Sequence, residues 1–462
     1  MKKAIICFFF AIFFISGISN AYTVHDPIHI EGDNQFTKVN GVAGGSGTEI
    51  DPYIISGWEI NRTGDSYYII IQNTTKYFII KDCYIHGKED SFWGNTGIAL
   101  DKGTNAKIEN VKIEYAGTGI KNYGAIESIK NPIISNCEEG IYNKGIESVI
   151  ESITNPEISN CENMGTGIEN EGTIKSIKNP IISNCEEGIG VTMPLSAIIS
   201  LSVIGGFIES IENAIISSGG EGIGNNEGTI KSIKNSTISN GRGGIGNGGI
   251  VESIENVAIS NCKDYGILNH GTIKAITNTE ISNSKEGIYN KGIYNDASKS
   301  VIEAITNTEI SNCETGIYNE DNGSVIESIT NSTISKCQEY GIYLNYYGII
   351  KNIENSIITS CGSGIYTEYY STIESIRKCN IERNNSGLFN NSNYAKDTII
   401  LNAIGNWWGS PDGPSGTGPG NGDMIAGKVQ YKPWATSRIK DAGATGNVGA
   451  KSLTTGGIGS SL

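Results

Sequence analysis

Ile126–Asn143 reads IESIKNPIISNCEEGIYN, and the fold is decided by how often that line returns. The frame I-x-x-I-x-N-x-x-I-S-N-C-x-x-G-I-x-N starts again near Ile150, Ile174, Ile208, Ile230, Val251, Ile273, Ile302, Ile326, Ile350 and Ile373. The Asn after the second Ile falls at Asn131, Asn155, Asn179, Asn213, Asn235, Asn256, Asn278, Asn307, Asn331 and Asn355. Looser copies surround Ile85, Ile113 and Ile381. Repeats govern a reading of the chain before any division into domains. No unit contains a helical stretch. Each holds three short β-favouring pieces, I-x-x-I, the Ile of I-S-N, and G-I-x-N, separated by Asn or Gly. Three strands per turn of 21 to 24 residues predict an all-β chain, a parallel β-helix (β-solenoid) of about 13 rungs.

The charges test this independently. Stacked rungs place equivalent residues about 4.8 Å apart, so like charges on one column are unfavourable. The position after the first Ile reads Glu127, Glu151, Lys175, Glu209, Lys231, Glu252, Lys274, Glu303, Glu327, Lys351, Glu374, alternating at most steps. The Asn column is expected at a bend, where Asn tolerates left-handed backbone and its amides can bond from rung to rung.

Composition narrows the function. Lys and Arg number 34 against 49 Asp and Glu, a net charge of -15, which excludes a nucleic-acid partner. Four His and four Met argue against a dedicated copper or zinc carrier. Residues 1–21 read as a cleaved signal peptide: Lys2 and Lys3, an apolar run from Ala4 to Ser16, and small residues at Ser19 and Ala21. The expectation is a secreted, extracellular or cell-surface protein with no transmembrane span in the mature chain. The expected organisation is an N-terminal cap and first coils over 22–84, repeats over 85–390, a C-terminal cap over 391–440, and a flexible Gly/Ser-rich tail over 441–462.

The repeats and their flanks resemble the secreted right-handed parallel β-helix proteins with PbH1-type repeats, especially archaeal surface proteins of the NosD-like group. The flanks that carry the resemblance are GDNQFTKVNGVAGGSGTEIDPYIISGWEI (Gly32–Ile60), then YFIIKDCYIHG, and GNWWGSPDGPSGTGPGNGD before Pro433-Trp434. The resemblance implies a right-handed coil. It implies little about activity, because the superfamily spans lyases, hydrolases, epimerases, adhesins and passive surface proteins.

Three columns invite chemistry. Cys137, Cys161, Cys185, Cys262, Cys313, Cys337 and Cys361 share one phase. Parallel Cα–Cβ vectors 4.8 Å apart disfavour disulfides, so a ladder of thiols is expected. Glu138, Glu139, Glu162, Glu186 and Glu187 concentrate acid on three successive rungs, an arrangement that a bound calcium would relieve; a solvated turn edge is the alternative. Tyr289, Tyr318, Tyr343 and Tyr366 share a phase, and Tyr346-Tyr347 repeats at Tyr369-Tyr370. Such rings can contact sugar or simply stack. Carbohydrate contact is assigned to Tyr343, Tyr346, Tyr347, Tyr366, Tyr369 and Tyr370.

A catalytic constellation is not recognisable. From Lys102 to Ile381 the Asp residues are only Asp264, Asp296 and Asp321, and His270 is the only His. Two insertions, Val191–Gly205 and Lys291–Ser300, interrupt the period. The leading expectation is a non-catalytic structural or adhesive rod binding a polysaccharide or cell-surface glycoprotein. The alternatives are a polysaccharide lyase or glycoside hydrolase, and a NosD-like metal-site maturation factor.

Overall fold

The computed structural model describes residues 22–61, 66–89, 94–101, 105–161, 163, 165–193, 205–292, 299–391 and 401–445. The signal-peptide reading, Glu162, most of both insertions and residues 446–462 lie outside the described residues.

The chain is a parallel β-solenoid of about 14 turns. One coil shows the pattern: Ala125–Lys130 lies on the first face, Ile133–Cys137 on the second and Glu139–Asn143 on the third. Each strand pairs in parallel with its counterpart one rung on. Ile129 meets Ile153, Ile134 meets Ile158, and Ile141 meets Ile168. The second face alone stacks 15 strands, from Thr23–Val24 to Asn380–Glu382. Apart from the antiparallel pair Val42–Gly44 and Tyr53–Ser56 of the N-terminal cap, the pairing is parallel. Among the described residues helix is confined to two short 3-10 turns, Asp33–Gln35 and Lys38–Asn40. No helix among the described residues is long and apolar enough to cross a membrane.

The repeated Ile residues are the core. Ile126, Ile129, Ile141, Ile174, Ile189, Ile230 and their equivalents are wholly buried. Each such burial contributes roughly 1.5–3 kcal/mol. The glycine of G-I-x-N is fixed by the same packing. A Cβ on Gly140 would lie 2.4 Å from the Gly167 carbonyl oxygen and 2.7 Å from Cγ2 of Ile158. The third face can turn so tightly against the second only without a side chain there.

Both ladders read from the sequence are present. Lys175 meets Glu151 at 2.7 Å, Lys274 meets Glu252 at 2.8 Å and Lys351 meets Glu327 at 2.6 Å. The Asn column is left-handed throughout, with φ of 50° at Asn131 and 52° at Asn179. Asn155 Nδ2 donates to Asn131 Oδ1 at 2.9 Å, and Asn179 Nδ2 to Asn155 Oδ1 at 2.8 Å.

The thiol ladder needs a correction. Cys161 and Cys185 form a disulfide between adjacent rungs, their Cα atoms 4.5 Å apart. That separation falls inside the bonding range. Parallel Cβ vectors are no bar, because rotation about each Cα–Cβ bond brings the sulfurs together. Cys83, Cys262, Cys313, Cys337, Cys361 and Cys379 are buried thiols.

The C-terminal end is closed by wholly buried Trp408 and by Trp407, whose Nε1 donates to Glu382. The chain then turns back along the rod. Ile439 exchanges two hydrogen bonds with the Asn380 side chain, and Asn355 Nδ2 donates to the Asp441 carbonyl. Ala444 and Thr445 donate backbone N–H groups to Thr333 Oγ1 and Asn307 Oδ1. Residues 441–445, the start of the segment read as linker, therefore lie along the outer Asn column.

Candidate functional site

On the third face two positions per rung point outward, those flanking G-I. Following both columns along the rod separates an acidic half from an aromatic half.

In the acidic half the second column runs Tyr142, Glu169, Gly190, Gly224, Gly246. The three glycines leave a side-chain-free floor, and carboxylates fold onto it. A Cβ on Gly224 would lie 1.8 Å from Glu187 Oε1 and 3.1 Å from Glu221 Oε2, so both acids occupy the space above that glycine. Glu139 and Glu187, named in the acidic strip, sit here half-buried, with Glu138 and Glu186 on the adjoining corner. The structure joins them to Glu169, Glu171 and Glu221, which the column after the Cys did not reveal. The G-I-x-N column, read for its x, shows Glu169, while Glu221 stands in the position before G-I and Glu171 just after the Asn.

The crowding is relieved in two ways. Tyr142 donates to Glu171, Tyr265 to Glu221 and Thr118 to Glu139. Burial, helped by repulsion from Glu221, Glu169 and Glu186, pushes the Glu187 carboxyl up to about 7. Burial with Glu139 and Glu171 does the same to Glu169, also to about 7. Among the described residues no group of three or more acidic, His or Cys side chains has a geometry that could hold a metal.

In the aromatic half, Tyr289, Tyr318 and Tyr343 stack ring on ring at 4.9 Å. Tyr366 follows tilted at 5.8 Å and itself stacks on Phe389 at 5.3 Å. Each hydroxyl is tied to the next rung. Tyr289 donates to Glu320 at 3.0 Å and Tyr343 to Glu368 at 2.9 Å, while Tyr318 and Tyr366 accept from Asn345 and Asn391. Stacked this way, the rings cover one another's faces along the column.

The corner after the third face differs. Tyr346 and Tyr347 have φ of 39° and 68°, and Tyr369 and Tyr370 have φ of 41° and 62°. In both rungs the residue after the pair donates its N–H to the carbonyl before it, Gly348 to Asn345 and Ser371 to Glu368. Two successive left-handed residues spanned by that bond form the turn normally occupied by Asn-Gly. A bulky side chain there costs roughly 1–2 kcal/mol per residue. The rings stack in register, Tyr346 on Tyr369 and Tyr347 on Tyr370, each pair at 4.9 Å. Tyr346 and Tyr347 are each 49% exposed and Tyr370 39%. The six tyrosines named from the sequence thus fall into two groups, a tied column on the face and an exposed comb on the corner.

No protein-family model matches the chain, and no curated protein matches it.

Proposed function

We propose that the chain is a secreted, surface-associated rod without catalysis, a right-handed parallel β-helix of the NosD-like surface type, which binds glycan or glycoprotein at its tyrosine corner. The observation that carries this reading is backbone conformation. Four tyrosines occupy positions where Asn or Gly is favoured, in two stacked rungs, with three of the rings well exposed. Strain of this kind clusters at functional sites. An exposed aromatic comb presents apolar rim and hydroxyl together, the mixed surface that sugars and glycoproteins contact.

The test separates binding from folding. Tyr347→Asn and Tyr370→Asn replace strained residues with one that accepts the turn. The double variant is expected to lose retention on an immobilised polysaccharide panel by at least tenfold, with its melting temperature unchanged or raised. Undiminished retention would remove the corner from the binding surface.

A second reading, a carbohydrate-active enzyme, is favoured by one observation: Glu187 and Glu169, both raised to about 7, lie among other carboxylates above the glycine floor. Glycosidic chemistry uses one protonated and one ionised carboxyl. Release of reducing ends or unsaturated uronate from the same panel, abolished in Glu187→Gln, would establish it.

A further inference from the structure

Cys337 and Cys361 stand on successive rungs with the same spacing of 24 residues that separates Cys161 from Cys185. Their register is also the same. Each of the four lies two residues beyond a matched strand pair, Ser159 with Ser183 in the bonded case and Ser335 with Thr359 in the other. The strands that follow Cys337 and Cys361 are matched as well, Tyr340 with Ser363. Both residues are buried, and their thiols are hydrogen-bonded to one another. The rest of the column offers less. Cys262 stacks between Gly241 and Ser284, which carry no thiol. Cys313 stacks between Ser284 and Cys337, so it competes with Cys361 for the same partner.

We infer that Cys337 and Cys361 form a second disulfide across adjacent rungs, made by exchange with an external disulfide, and that it pins together the two rungs carrying the tyrosine corner. Tyr346 and Tyr347 follow Cys337 on one rung, and Tyr369 and Tyr370 follow Cys361 on the next. The corner in front of the column gives a reason for a covalent tie at this place. Earlier along the rod its rungs are joined by amides: Asn160 Nδ2 donates to Asn136 Oδ1 at 3.1 Å, Asn184 to Asn160 at 3.0 Å and Asn283 to Asn261 at 3.3 Å. Before Cys337 and Cys361 the same position holds Lys336 and Ser360, with φ of 56° and 59°. The backbone is still left-handed there, but neither residue favours it as Asn does, and neither has an amide to pass to the next rung. A sulfur bridge one residue further on restores the missing tie.

The chemistry is a thiol–disulfide exchange in two steps. The hydrogen bond from Cys337 holds the Cys361 thiol below its ordinary pKa, against the effect of burial, so Cys361 is the attacking group. Lys336 and Ser360 are exposed, which places both sulfurs one residue beneath the surface. The Cys361 thiolate attacks one sulfur of the external disulfide and expels the first thiolate. The Cys337 thiolate then attacks the Cys361 sulfur of the mixed disulfide and expels the second. The two cysteines together lose two electrons, the external disulfide gains them, and the two cysteine protons end on the two thiols released.

The test treats the purified full chain with oxidised glutathione or with dithiothreitol, alkylates the remaining thiols, and maps the digested peptides by mass. Oxidation is expected to join the peptides bearing Cys337 and Cys361, and reduction to leave both separately alkylated. Cys361→Ser is expected to lose the joined species and still to fold, because Ser284 is buried at the same place in the column. Pinning is read by hydrogen exchange. Oxidation is expected to slow exchange roughly tenfold or more over Tyr340–Asn345 and Ser363–Glu368 in the unmodified chain, and to leave these strands unchanged in Cys361→Ser. Neither readout depends on whether the corner binds glycan. Alkylation of both thiols after oxidation overturns the inference, as does a bond from Cys313 to Cys337 in place of Cys361. A Cys337–Cys361 bond that leaves exchange over both strands unchanged overturns the pinning.

Discussion

Asparagine plays different parts in a coil, and its position decides which. On the outer corner Asn131 and its equivalents are there for their backbone, which is left-handed. At the end of G-I-x-N the Asn points inward and is buried. Asn247 Nδ2 donates to Asn269 Oδ1 at 2.8 Å and lies within hydrogen-bonding distance of the Gly249 and Thr272 carbonyls. Removing that amide leaves buried acceptors without a donor, at roughly 1–3 kcal/mol. Asn247→Ala is therefore expected to lower stability by about 2–3 kcal/mol in thermal unfolding, while Asn256→Gly on the outer corner costs less than about 1 kcal/mol. Equal costs would mean that the inner ladder is not the stronger element. Both columns stand in the repeat, so their existence was legible in the sequence. That one is buried was not, because polar residues give no inward signal until the coil is closed.

At the scale of one face, the charges make stability depend on pH. Glu169 and Glu187 have folded pKa values of about 7 against an ordinary 4.5. The folded state holds these protons more tightly than the unfolded chain does. Their stabilising contribution is therefore complete below about 4.5 and is lost as pH rises through about 7. The chain is expected to melt several degrees higher at pH 5 than at pH 8, by on the order of 3 kcal/mol for the coupled pair. Glu169→Gln with Glu187→Gln should flatten that difference and raise stability at pH 8. A chain equally stable at both values, or a pH dependence unchanged in the double variant, would contradict the account. The sequence disclosed acid at Glu139 and Glu187 but not this pairing. The pairing depends on what stands one column over, where Gly190 and Gly224 leave the carboxylates room to converge. The Cys161–Cys185 bond escaped the sequence for a related reason, since rung geometry was read from Cβ directions alone. That bond closes a separation of 24 residues. Cys185→Ser is expected to cost about 3 kcal/mol, read as a lower melting temperature that reductant brings about equally in the unmodified chain.

Over the whole rod, each rung is stabilised by its neighbours, so unfolding begins where a neighbour is missing. About 14 turns at 4.8 Å make a rod roughly 65 Å long, with the acidic strip near its middle and the tyrosine corner towards its C-terminal end. Presenting the tyrosine corner requires the C-terminal rungs to stay closed, and the returning segment adds to the closure made by Trp407 and Trp408. Arg438 Nε donates to Glu382 at 2.7 Å, Ile439 is held by Asn380, Gly443 N–H donates to the Asn355 carbonyl at 2.8 Å, and Thr445 reaches Asn307. The segment thus spans several rungs, lying against the second-face strands Thr333–Ser335, Ile357–Thr359 and Asn380–Glu382. A chain ending at Ser437 loses all of these bonds, whereas one ending at Thr445 keeps them and serves as reference. Hydrogen exchange of the shorter chain is expected to speed up at least tenfold over Ile357–Thr359 and Asn380–Glu382 and to stay unchanged over Thr173–Lys178. Acceleration spread evenly along the rod would mean that the coils unfold as one unit. No acceleration would mean that Trp407 and Trp408 close the end without the returning segment.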